Sequence, residues 1–186
     1  GDKTINNNLA SLGGYFKWLY ANDYAPEPNM TEGLGFKLGR KGSRNSYSAA
    51  DLKRMFALPA FTGCAGPDDD YTPGKLRLAD WRFWIPVICI YTGARLGEIA
   101  QLRCQDIRKV GGHWAFHITD EGEGMTAKTE GSVRVLPLHP ELLRLGLLEY
   151  RDSVVKTRAK ELFPGFKPDG NGRISREASL WWLDYL

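Results

Sequence analysis

Residues 91–102 read Tyr-Thr-Gly-Ala-Arg-Leu-Gly-Glu-Ile-Ala-Gln-Leu and hold the side chains best suited to chemistry. Gly93 is expected to end one helix in a left-handed cap, which puts Arg95 in the first turn of the next helix. Unpaired N–H groups and the helix dipole attract anions to that end, and a guanidinium adds a planar fork for two phosphate oxygens. Glu98, one turn later, can hold the arginine in place. The stretch predicts a phosphodiester site.

Helix and strand patterns must position this stretch. Residues 78–91 are apolar nearly all round, which predicts a core helix that Pro86 can kink. After a second short helix, residues 104–110 and 113–119 predict two strands joined at Gly111-Gly112, and residues 132–138 predict a third. Pro140 then opens another helix. The predicted fold class is mainly α with a small three-stranded antiparallel sheet, an α+β arrangement.

The N-terminal third divides into a helix, a linker and the start of a new domain. The helix, ending near Asp23, has one apolar face made by Ile5, Leu9, Leu12, Phe16 and Leu19. Residues 24–47 contain prolines and glycines without an apolar period, and predict a linker. Its basic cluster consists of Lys37, Arg40, Lys41 and Arg44. A capping box of Ser48 and Asp51 opens the domain 48–186. Residues 62–74 are expected to form a polar loop.

Composition sets the broad class. The chain has 186 residues, of which 42% are hydrophobic, and six tryptophans, so a real core is expected. A net charge of +3 does not by itself indicate a nucleic-acid partner. Three scattered cysteines, no long apolar run and no leader pattern predict a soluble cytoplasmic protein. The helix expected at residues 175–186 lacks a stop signal, which favours a truncated chain.

The motif Thr92-Gly93-x-Arg95-x-x-Glu98-x-x-x-Leu102 resembles the first catalytic-arginine motif of the tyrosine site-specific recombinases, the phage-integrase family. Further similarities follow in the family's order. They are Asp106-Ile107, the three-stranded sheet, Lys128-Thr129 before the third strand, Arg-Val-Leu-Pro-Leu at 134–138, and Leu-Phe-Pro at 162–164. The resemblance covers nearly the whole chain, and its order and spacing are more specific than any single element.

The resemblance implies an enzyme that cuts duplex DNA with a tyrosine hydroxyl, through a 3′-phosphotyrosyl link and without a metal or cofactor. Arg95 would be the first phosphate-binding arginine, Lys128 the general acid and Glu98 a supporting residue. The basic cluster and Arg134 would contact DNA. Residues 1–23 would be the last helix of a core-binding, SAM-like domain, and 48–186 the first part of the catalytic domain. Expected partners are double-stranded DNA and other protomers in a tetrameric synapse, with no membrane or small-molecule substrate, in the cytoplasm at a bacterial nucleoid.

The family's second motif, His-x-x-Arg followed by the nucleophilic tyrosine, does not occur in the sequence. His113, His117 and His139 are each followed three residues later by a residue other than arginine. Truncation is the expected explanation, and the chain alone is expected to be inactive. Tyr185 precedes the place of that motif and is interpreted as an ordinary helix aromatic.

Simpler explanations exist for each feature. Arg95 and Glu98 could form only a surface ion pair, Lys128 could be a solvated loop lysine, and the basic cluster could belong to a soluble linker. His113 and His117 share a strand face but lack a third metal ligand, while Trp181 and Trp182 suit a core or an interface. Two other functions stay open: a non-catalytic DNA-binding or regulatory protein on the same fold, and a helical interaction domain without a DNA role.

Overall fold

The computed structural model of the chain describes residues 1–39, 46–119, 133–166, 169–170 and 174–186. It divides into two compact units, residues 1–46 and residues 47–186. Four of the predicted site residues lie outside the described residues: Arg40, Lys41, Arg44 and Lys128. Predictions for them are therefore neither confirmed nor contradicted.

The first unit is built on the predicted N-terminal helix, α1, which spans Asp2–Ala21. The segment after it returns along the helix through side-chain hydrogen bonds. The amide of Asn6 donates to the Phe36 carbonyl at 2.9 Å and accepts from the Phe36 N–H at 2.8 Å. Gly13 is buried there, and a Cβ at this position would lie only 3.0 Å from the Thr31 hydroxyl oxygen. The absence of a side chain thus lets the segment approach α1 closely.

The second unit combines helices with two small antiparallel sheets. Its helices are α2 (Ala49–Phe56), α3 (Pro59–Thr62), α4 (Trp81–Thr92), α5 (Leu96–Ala100), α6 (Pro140–Arg144), α7 (Leu147–Lys156) and α8 (Arg176–Tyr185). Its strands are β1 (Cys64–Gly66), β2 (Asp69–Pro73), β3 (Ile107–Val110), β4 (His113–Ile118) and β5 (Arg134–Pro137). This mixed architecture agrees with the predicted α+β class.

The central helix α4 confirms the predicted core element. Asp80 caps its start by accepting a hydrogen bond from the Arg82 N–H at 2.9 Å, and Gly93 ends it in a left-handed conformation with φ of 64°. Pro86 lies inside the helix without ending it. The helix buries Trp84 and Ile88, among others, which places it at the centre of the core. The predicted Ser48–Asp51 capping box is also present at the start of α2.

The sheet β3-β4-β5 is antiparallel throughout. Gly111 and Gly112 form its first turn with φ of 56° and 86°, the positive values that such a two-residue turn requires. Phe116 and Ile118 of β4 face the core. The first strand begins at Ile107, later than predicted, because Cys104–Asp106 forms a 3-10 turn.

A hairpin replaces the loop expected at residues 62–74. Strands β1 and β2 pair antiparallel, and Asp70 in β2 is buried although its neighbours are polar and exposed. The Asp70 carboxylate accepts a hydrogen bond from Arg82 Nη1 at 3.0 Å. The prediction of a loop was wrong because this stabilising contact comes from α4, outside the polar stretch itself.

The last helix, α8, docks on that hairpin. Trp181 Nε1 donates to the Asp70 carboxylate at 2.8 Å, and the Tyr185 hydroxyl donates to the Asp70 carbonyl at 2.9 Å. The Tyr185 hydroxyl also accepts from the Ala60 N–H at 2.8 Å. Trp181 and Trp182 pack against the core, as expected. Within the described ranges, no helix combines the length and apolar character needed to cross a membrane.

Candidate functional site

Arg95 lies at the junction of α4 and α5. It occupies the N-cap position of α5, one residue before the predicted first turn. Its backbone N–H donates to Glu98 Oε2 at 2.9 Å, and its Nη1 donates to Glu98 Oε1 at 2.8 Å. The side chain is 58% exposed. Since α5 spans only Leu96–Ala100, the guanidinium must supply most of the attraction for an anion, and the helix dipole little.

Glu98 is the buried centre of the site. Its side chain is 6% exposed and accepts from a second arginine, because Arg134 Nη2 lies 2.8 Å from Oε2 and Arg134 Nη1 lies 3.3 Å from Oε1. The hydrogen bond from Arg134, with those from Arg95, lowers the pKa of Glu98 to about 2, against the raising effect of burial. Glu98 is therefore ionised across the physiological pH range. We refer to Arg95, Glu98 and Arg134 as the arginine centre.

Two features, the turn after α4 and the register of the sheet, bring the three side chains together. Thr92 ends α4 with its hydroxyl donating to the Ile88 carbonyl at 2.7 Å and accepting from the Ala94 N–H at 3.2 Å. With Gly93 in the left-handed conformation, this turn directs the chain into α5. On the sheet, Arg134 of β5 pairs with Ile118 of β4 and lies on the half-buried side of β5. The sheet register thus brings Arg134 to the carboxylate of α5.

In the strand that contains Arg134, the flanking valines face solvent and the arginine faces the protein, which is the reverse of the usual alternation of buried apolar and exposed polar residues. Val133 and Val135 are 49% and 46% exposed, whereas Arg134 is half-buried beside Glu98. Pairing with a buried carboxylate offsets the cost of placing a guanidinium there. Arg134 was expected to contact DNA, and its contact with Glu98 was missed because no local pattern indicates a contact across 36 residues.

The arginine centre can bind an anion. The three side chains carry formal charges that sum to +1, and Glu98 holds both guanidinium groups through hydrogen bonds. A positioned guanidinium suits a phosphate because its N–H groups match two oxygens. The thiol of Cys89 lies nearby, and burial, followed by the charge of Glu98, raises its pKa to about 11. Cys89 is therefore a neutral core side chain here.

The other predicted site residues are placed as follows. Lys37 is exposed in the first unit. Nδ1 of His117 lies 2.8 Å from Arg108 Nη2, so it accepts a hydrogen bond from the arginine. Among the residues that the structure describes, no group of three or more His, Cys, Asp or Glu side chains could hold a metal ion. Comparison of the chain with protein-family models, with curated proteins and with solved structures finds no match.

Proposed function

We propose that this chain takes part in DNA strand cleavage and rejoining of the tyrosine-recombinase type, with Arg95 binding the scissile phosphate. The observation that carries the proposal is the arginine centre: an exposed guanidinium is oriented by a buried, ionised carboxylate that is itself bound to a second arginine. An ordinary surface ion pair does not need a buried carboxylate with two cationic partners.

This arrangement suits phosphoryl transfer. The transition state carries negative charge on the non-bridging oxygens, and a fixed guanidinium stabilises it without reorganising during the reaction. In the proposed reaction, Lys128 protonates the leaving 5′ oxygen. Tyr185 is not the nucleophile in this proposal, since its hydroxyl is engaged in two hydrogen bonds inside the fold. The second unit would then be the first part of the catalytic domain, working with other protomers on duplex DNA.

Duplex binding provides the first test. Arg95→Gln should weaken binding of a short labelled duplex, and it should reduce the slope of log affinity against log salt by about 0.9, the value for one phosphate contact. Arg54→Gln is the matched control, because Arg54 also pairs with a carboxylate three residues away but Asp51 is itself exposed. Equal effects of the two substitutions, measured by fluorescence anisotropy, would remove Arg95 from the DNA interface.

Cleavage separates the enzyme from a non-catalytic DNA-binding protein. In a protein of the proposed type, the full reading frame should encode a His-x-x-Arg motif and a later nucleophilic tyrosine. In the protein expressed from that frame, Arg95→Ala should reduce cleavage roughly a hundredfold or more. Lys128→Ala should lose cleavage of a normal phosphodiester and recover with a 5′-bridging phosphorothiolate, whose leaving thiolate needs no proton. A frame without the motif, together with Arg95-dependent DNA binding, would favour the non-catalytic alternative.

A further inference from the structure

A second concentration of positive charge lies in a cleft between the 3-10 turn, β3 and α7, with a volume of about 870 Å³. We call it the basic cleft. Five cationic side chains line it, from Arg103, Arg108, Lys109, Arg151 and Lys160. Asp152 is the acidic residue of the lining, so the lining carries four more positive than negative charges. None of these residues belongs to the arginine centre.

The floor of the basic cleft is fixed by backbone pairing and by one tryptophan. The Cys104 N–H donates to the Lys160 carbonyl at 2.9 Å, which joins the 3-10 turn to the segment after α7. The Trp114 ring has Arg151 Cζ at 4.7 Å and Lys109 Nζ at 5.5 Å from its centroid. Arg151 Nη1 also donates to the Ile107 carbonyl at 3.0 Å. Arg151 is thus part of the floor.

The cations at the rim are available to a ligand. In the part of the chain that the structure describes, Arg103, Lys109 and Lys160 have no carboxylate within salt-bridge distance. The nearby Asp106 carboxylate accepts from the Arg103 backbone N–H at 2.8 Å instead. Lysines on an edge strand such as β3 often serve only to prevent edge pairing. That explanation covers Lys109 but not Arg103 or Lys160, which come from other segments.

The basic cleft and the arginine centre occupy diagonal corners of one sheet. Lys109 pairs with Trp114 at one end of β4, and Arg134 pairs with Ile118 at the other end, across opposite edge strands. At about 3.4 Å per residue and about 4.8 Å per strand, the two Cα positions are roughly 17 Å apart. One phosphate group cannot contact both sites.

We propose that the basic cleft binds the phosphodiester backbone of a nucleic acid at a contact separate from Arg95. Surfaces that bind nucleic acid are much more positively charged than protein–protein interfaces, whose cores are depleted in lysine. Because Trp114 already lies against two cations, the cleft offers contacts to phosphate and not a ring for base stacking. The proposal does not require strand cleavage, so it extends to a protein that only binds DNA.

Charge removal at the rim tests the proposal. Lys109 and Lys160 are exposed, so the double variant Lys109→Gln/Lys160→Gln should fold normally, with an unchanged melting curve as the check. Lys75→Gln/Lys156→Gln removes the same charge from exposed lysines outside the cleft. The cleft variant should bind a short duplex at least tenfold more weakly at 0.1 M salt, and its salt slope should fall by about 1.8, the value for two phosphate contacts.

Three ligands distinguish the possible outcomes: the duplex, inorganic triphosphate and a poly-glutamate peptide. Inorganic triphosphate should compete with the duplex in the wild-type chain and less in the cleft variant. Equal duplex affinities of the cleft and control variants would overturn the proposal. It would also be overturned if the cleft substitutions abolished binding of a poly-glutamate peptide but left duplex affinity unchanged. The cleft substitutions should also weaken duplex binding in the Arg95→Gln background. Such a result supports the cleft even if Arg95 itself contributes nothing to binding, so this proposal can hold where the proposed function fails.

Discussion

Arg134 and Glu98, 36 residues apart in the sequence, are joined by two hydrogen bonds, of 2.8 Å between Nη2 and Oε2 and 3.3 Å between Nη1 and Oε1. The contact links the third strand of the sheet to the helix that follows Gly93. Stability and the geometry of the arginine centre therefore depend on the same carboxylate.

Glu98 should make stability depend on acid. Its pKa is lowered from 4.5 to about 2 in the folded chain, so its contribution is complete above about pH 4.5 and is lost as the pH falls toward 2. A shift of that size corresponds to about 3 kcal/mol at neutral pH. Glu98→Gln should lower the free energy of unfolding by roughly 2 kcal/mol at pH 7 and flatten its pH dependence below pH 4.5.

Urea unfolding at several pH values measures both effects of Glu98→Gln. Glu141→Gln is the matched control, because Glu141 also pairs with an arginine three residues away but at the surface. We expect no measurable change for Glu141→Gln at neutral pH. A Glu98→Gln chain with the wild-type acid dependence would show that the buried carboxylate is not the group responsible.

Tyr185 should contribute to stability and not to DNA cleavage. Tyr185→Phe leaves the Ala60 N–H and the Asp70 carbonyl without their partner, which should cost about 1–3 kcal/mol of unfolding free energy. Tyr47→Phe, at a tyrosine that is 60% exposed, should be neutral. Incubation with a nicked suicide duplex and denaturing electrophoresis should show no covalent adduct. An adduct that disappears in Tyr185→Phe would identify the tyrosine as a nucleophile instead.

The β1–β2 hairpin should reject a side chain at Gly74. A Cβ there would overlap the Cys64 carbonyl, which is backbone and cannot move aside. Gly74→Ala should therefore lower the free energy of unfolding by at least roughly 2 kcal/mol. Gly66→Ala, in the same hairpin, has open space around its Cβ and should change stability by less than about 0.5 kcal/mol. Thermal melting of the two variants compares them, and equal melting temperatures would contradict the hairpin geometry.

Cys89 should be protected from alkylation. Burial, with a smaller effect from Glu98, raises its pKa from 9.0 to about 11, so the thiolate population at pH 8 falls about a hundredfold. Mass spectrometry after timed exposure to iodoacetamide should show slow labelling of Cys89 in the native chain and rapid labelling in urea. Native labelling as fast as in urea would place the thiol at the surface.

Sequence patterns predicted the elements whose structure depends only on residues close to them in the sequence. The helix before Gly93, the Gly111-Gly112 turn and the Ser48 cap all follow from nearby sequence, and the structure confirms them. The β1–β2 hairpin and the Arg134–Glu98 contact were missed because distant residues complete them. Asp70 resembles a loop residue until Arg82 and Trp181 are brought to it by tertiary packing.

The same limit applies to the candidate site. Arg95 and Glu98 were recognised as a pair because they are one helical turn apart, and the structure confirms that contact. The family resemblance implied a DNA contact for Arg134. Its contact with Glu98 was missed because the position of Arg134 depends on strand register rather than on its sequence neighbours. The role of Lys128 as general acid and the role of the basic cluster in DNA binding stay predictions.

The hydrogen bond from the Ala60 N–H to the Tyr185 hydroxyl has a consequence for the dynamics of the last helix. The hydrogen-bond partner of this amide is a side chain 125 residues away and not the turn in which it lies, so we expect that side chain to protect it from solvent exchange. Its exchange rate therefore reports how often α8 detaches. Ala60 amide exchange, measured by NMR, would give the opening free energy of α8 directly, separately from the global unfolding of the second unit.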